Sequence, residues 1–68
     1  MKSIKKILDY QHKIISLLEP QEYTKIDDLA VDCLAGPAGR NLCFMHAIED
    51  LVTCGQLEAC GNEVRLSQ

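Results

Sequence analysis

Four cysteines and two histidines are the side chains of this 68-residue chain best suited to metal or covalent chemistry. Thiolate and imidazole are zinc ligands, and the run CFMH sets Cys43 and His46 at i and i+3, one helical turn apart. Cys54 and Cys60 follow, without the C-x-x-C knuckle of common zinc sites, and Cys33 stands apart. The four are read as small thiols, reduced in a cytosolic protein, and neither a metal nor a cofactor is expected. Nucleophilic catalysis needs a base held against the nucleophile. His12 and His46 are the two imidazoles, neither stands in a recognisable Ser-His-Asp or Cys-His spacing, and no glycine-rich phosphate loop is present. The expectation is a non-enzyme.

The charged residues carry more pattern. Formal net charge is −3 and the pI is near 5.1, which gives no overall pull toward nucleic acid or an anionic membrane. Lys2, Lys5, Lys6 and Lys13 crowd the start of the chain; Lys25, Arg40 and Arg65 are the remaining cations. The opening MKSIKK has the basic character of a signal peptide, but Asp9, Gln11, His12 and Lys13 interrupt any apolar core behind it. No apolar run is long enough to span a bilayer. A cytoplasmic protein without a membrane partner is expected.

These residues must be positioned by a small fold. Apolar residues make up 47% of the chain, which argues for a folded domain rather than disorder. With no Trp, one Phe and two Tyr, its core is built from Leu, Ile, Val, Ala and Cys. The length fits a single domain over residues 1–68. Residues 3–18 place apolar side chains at 4, 7, 8, 14, 15 and 18, the stripe of an amphipathic helix, with Ser3 as N-cap and Pro20 as stop. A short connector with extended backbone near Tyr23 follows. Thr24 then caps a second helix over 25–34, with Ile26, Leu29, Ala30, Cys33 and Leu34 inward and Asp27, Asp28 and Asp32 mostly outward. AGPAG is a turn, and Pro37 is equally suited to open the third helix, over about 38–54. In that helix Phe44, Ala47, Ile48, Leu51 and Val52 share the inner face, and Gly55 ends it. Gly61-Asn62 is a two-residue turn of type II′ character, so the hairpin over 57–66 pairs Cys60 with Glu63, Ala59 with Val64, Glu58 with Arg65 and Leu57 with Leu66.

Helix, connector, helix, turn, helix, glycine, hairpin is a mainly α arrangement with a C-terminal β-hairpin, and it resembles the winged helix-turn-helix family over nearly the whole chain. The stretches that carry the resemblance are YTKIDDLAVDCL, NLCFMHAIEDLVTCGQLEA and CGNEVRLS; IEDLVTCGQLE is similar to the family's LxxLxxxGxLE pattern. The resemblance implies three helices plus a wing. It also implies a small transcription regulator of bacterial or phage type, whose third helix enters the major groove of double-stranded DNA. On that reading Arg40, Asn41 and His46 contact bases, Lys25 and Arg65 contact phosphate, and a homodimer forms through helix 1 on a two-fold DNA site. The outer face of helix 3 also holds Leu42, Glu49, Asp50 and Thr53, and the wing tip lacks a cation. The alternative is therefore an acidic protein-interaction module, a docking unit or an inhibitor of a nucleic-acid-binding protein. It would use Asp27, Asp28, Asp32, Leu42, Met45, Glu49 and Asp50, and would not itself bind DNA.

Overall fold

The amphipathic stripe at the start of the chain folds as α1 (Ile4–Leu17) in a computed structural model that describes residues 4–67. Ser3, the expected cap, and Lys2 lie outside the described residues. Ile14 and Leu18 are buried, and Ile7, Tyr10 and Ile15 pack at the edge of the core. Ile4 and Leu8, counted in the stripe, are exposed. Leu8 is a single step of about 100° from Ile7, enough to carry it past the margin of the packed face.

The chain then runs through β1 (Thr24–Lys25), α2 (Ile26–Asp32), a 3-10 turn at Ala38–Arg40, α3 (Leu42–Thr53), β2 (Leu57–Cys60) and β3 (Glu63–Leu66). The architecture is mainly helical, with three α-helices and a small three-stranded antiparallel sheet in the order β1-β3-β2. The hairpin register is Leu57 with Leu66, Glu58 with Arg65, Ala59 with Val64 and Cys60 with Glu63, the pairing expected from the turn. Gly61 has φ +62°, and Asn62 keeps a negative φ, the combination a type II′ turn requires.

Three local expectations are corrected. Thr24 is not a helix cap: it is a strand residue paired with Val64, beside Lys25 paired with Glu63. The extended backbone that joins the sheet occupies the residues expected to cap and begin α2, so the helix starts at Ile26 with no side-chain cap. The second helix also ends earlier than 34. Cys33 is its C-cap, and Leu34 adopts φ +57°, in the left-handed region. The Leu34 amide donates to Val31 O (3.0 Å) and the Ala35 amide to Ala30 O (2.8 Å), the paired bonds of a Schellman ending. That reversal swings Leu34 out of the inner face and leaves it 85% exposed. The third helix, finally, does not run from 38. The 3-10 turn closes on Pro37 through the Arg40 amide (3.0 Å), and α3 begins afresh at Leu42 behind its cap, Asn41.

One core joins the three α-helices and the hairpin. Phe44, Ala47, Ile48 and Leu51 of α3 meet Ile14 of α1 and Leu18 just after it, Leu29 and Ala30 of α2 with its C-cap Cys33, and Leu57 and Val64 of the hairpin. No polar side chain is buried among the described residues. Val52 is only half-buried and Ile26 flanks the cluster. The hairpin, which would not hold in water by itself, is anchored by buried Leu57 and Val64. Ala59, opposite Val64, is exposed, as is Cys60.

Candidate functional site

The outward side of α3 follows from its inner one. With Phe44, Ala47, Ile48 and Leu51 buried, a step of about 100° per residue turns Leu42, Glu49 and Thr53 away from the core. All three are exposed, as is Asp50, while Met45 and His46 are half-buried and Met45 packs against the core. Leu42 is the prominent apolar residue here, at 70% exposure. Arg40 is exposed in the 3-10 turn just ahead of the helix, and Lys25 is exposed in β1.

The two other candidate DNA contacts are engaged within the protein. Asn41 faces inward and is half-buried. Its Oδ1 accepts from the Phe44 amide (3.0 Å), capping α3, and its Nδ2 donates to the Tyr10 hydroxyl (3.0 Å) and to Ala35 O (3.1 Å). One amide thus ties the start of α3 to α1 and to the turn after α2. Arg65 is bound across the hairpin. Its Nε donates to Glu58 Oε2 at 2.8 Å, and Nη2 lies 2.6 Å from the same oxygen. The guanidinium centre also sits 4.8 Å from the Tyr23 ring centroid, within reach of a cation–π contact. The hydrogen bond to Glu58 raises the Arg65 pKa further above its already high value.

The acidic residues behave differently. Asp27, Asp28, Asp32, Glu49 and Asp50 are all exposed, and none forms an ion pair among the described residues. Val31, 67% exposed, shares the outer side of α2 with Asp27 and borders a shallow depression of about 560 Å³ with Gly36, Pro37 and Gly39. Val31 and Leu34 were not singled out as surface residues in the sequence. The i, i+4 spacing of Val31 from Asp27 was a usable signal; the backbone reversal at Leu34 was not.

The cysteines are unpaired: Cys33 is buried, Cys43 half-buried, Cys54 and Cys60 exposed. Burial pushes the Cys33 thiol above its ordinary pKa of 9.0; Lys13 lowers it in part and Asp32 raises it. Among the described residues no group of three or more His, Cys, Asp or Glu side chains is arranged to hold a metal ion. No helix among them is long and apolar enough to cross a membrane. The chain matches no family model, and no curated protein or solved structure is significantly similar to it.

Proposed function

We propose that this chain is a winged helix-turn-helix domain that works as an acidic protein-interaction module, docking on the basic surface of a nucleic-acid-binding protein. The fold reading is supported by the order of the elements and by the sheet order β1-β3-β2, with β2 and β3 as the wing. The functional reading is carried by one observation. The outer sides of α2 and α3 present five exposed carboxylates without ion-pair partners together with exposed Val31 and Leu42. Exposed carboxylates and exposed apolar side chains on these helices suit a partner of the opposite sign, for which complementary charge sets on-rate and orientation.

A DNA-binding transcription regulator is the second reading, favoured by exposed Arg40 ahead of α3 and by exposed Lys25. Against it stand the internal commitments of Asn41 and Arg65, a wing tip of Gly61 and Asn62 without a cation, and two carboxylates on the would-be recognition helix. Self-association through α1, where Ile4 and Leu8 are exposed, would suit either reading, and sedimentation equilibrium of the pure chain measures it directly.

The deciding experiment is retention of a random duplex DNA pool by the immobilised chain as salt rises from low to physiological. No retention at low salt is the expected result. Retention with a steep salt slope, lost in Arg40→Ala, would sink the protein-docking reading, because only cations displacing counterions produce that slope. Cross-linking in cell extract then tests the partner class. Captured proteins should be basic nucleic-acid binders, released by Leu42→Asp and by the double change Glu49→Lys, Asp50→Lys.

A further inference from the structure

Between α1 and the start of α3, floored by the residues that follow α2, lies a groove of about 280 Å³. Lys6, Asp9, Tyr10 and Lys13 line its α1 side, at i, i+3, i+4 and i+7 along one side of the helix. Cys33 and Leu34 close it from α2. Two ammoniums against one carboxylate leave the α1 wall with a net charge of +1, in a protein whose overall charge is −3.

The centre of that wall is held by two contacts. The Tyr10 ring meets Phe44 edge to face, with centroids 5.8 Å apart and planes at 89°. Its hydroxyl accepts the Asn41 amide at 3.0 Å, so the hydroxyl proton remains to be donated, and no acceptor for it occurs among the described residues. A hydroxyl that already accepts a hydrogen bond is polarised toward donating one. Lys13 and Cys33 both line the groove, one from the α1 side and one from its floor. Leu34, held out by its left-handed backbone and 85% exposed, supplies an apolar rim.

We propose that this groove binds a small organic monoanion, a carboxylate with an apolar body, its charge met by Lys13 and the Tyr10 hydroxyl and its body lying against Leu34. The volume is just under the range of about 300–1,000 Å³ that accommodates drug-sized ligands, which suits a compact metabolite. Asp9 disfavours multiply charged anions. The site is independent of whether the domain docks on protein or DNA.

The test is a titration of the intact chain with sodium benzoate at constant ionic strength, followed by backbone amide NMR. Benzyl alcohol serves as the neutral isostere. Saturable shifts confined to the neighbourhood of Tyr10, Lys13, Leu34 and Asn41 are expected, with benzyl alcohol weaker by about tenfold, the scale of a charge-assisted hydrogen bond. Lys13→Gln, a change at an exposed position, should weaken benzoate by about tenfold with the remaining spectrum unchanged, whereas Lys25→Gln should leave binding intact. Shifts that never saturate, equal affinity for benzyl alcohol, or equal losses from Lys13→Gln and Lys25→Gln would each overturn the proposal.

Discussion

Asn41 spends every polar atom of its side chain on the protein. It caps α3, holds the Tyr10 hydroxyl and satisfies Ala35 O. Replacing it by Ala removes a helix cap and two part-buried hydrogen bonds, so Asn41→Ala should cost about 1–3 kcal/mol, read as a lower urea midpoint at unchanged slope. Asn41→Asp keeps the capping oxygen but loses the donor to the Tyr10 hydroxyl and to Ala35 O, and should fall between the native chain and Asn41→Ala. Cys33 sets a different dependence. Burial holds its thiol above 9.0, so in alkaline solution the unfolded chain loses this proton before the folded one does. The folded state then binds more protons, and stability must fall as pH rises. The contribution is complete below the ordinary thiol range and drains away as pH climbs through and beyond 9.0. Urea midpoints measured from neutral to alkaline pH should decline for the native chain, and decline less for Cys33→Ala, whose midpoint should start lower because a fully buried side chain has been cut.

At the scale of the elements, the two Schellman endings form an internal comparison. α3 ends with Gly55 at φ +86°, where the Gly55 amide donates to Val52 O (3.1 Å) and the Gln56 amide to Leu51 O (2.9 Å). α2 makes the same pair of bonds with Leu34 in the equivalent place. A side chain in that region costs roughly 1–2 kcal/mol, part of which a glycine returns through its own greater chain entropy. Leu34 is exposed, so little burial is lost on trimming it. Leu34→Gly should therefore raise stability by about 0.5–1 kcal/mol, and calorimetry should find a higher melting temperature. A lower one would mean that Leu34 makes packing contacts its exposure hides. This pair also marks the border of what could be read from sequence. The hairpin register was legible to the residue, because a two-residue turn fixes which residues face each other and Gly61 identifies the turn. The inner face of α3 was legible from its period. The ends of α2 were not. Its start is set by Thr24 and Lys25 pairing with a strand some forty residues further on, and its stop by a leucine where glycine is usual. Asn41 was noticed as a polar residue at the start of α3 and read as facing DNA; its partners Tyr10 and Ala35 are brought to it only by the tertiary fold.

On the scale of the whole molecule, the same short length that makes the architecture simple leaves little reserve. The three α-helices and the hairpin share one core, and Phe44 is the largest of its fully buried side chains. It is fully buried against α1 through Tyr10 and follows the Asn41 cap, so it joins the core to the polar clasp at the start of α3. A single core in a domain under about 70–80 residues rarely supplies more than about 3–5 kcal/mol. Truncating a buried phenylalanine to Ala costs about 3–5 kcal/mol, which is the entire margin. Phe44→Ala should then be unfolded at room temperature, with loss of the helical circular dichroism signal and of dispersed amide resonances. Phe44→Leu removes less volume and keeps an apolar side chain, and should fold with a melting transition shifted down. If Phe44→Ala still melted cooperatively near the native temperature, the stability would have to come from somewhere other than this core. Association of two chains would be the first place to look, since a dimer's stability rises with concentration while that of an independent core does not. Repeating the melt of the native chain across a hundredfold dilution separates the two. A constant midpoint locates the stability within one chain, and a midpoint that falls on dilution locates part of it between chains.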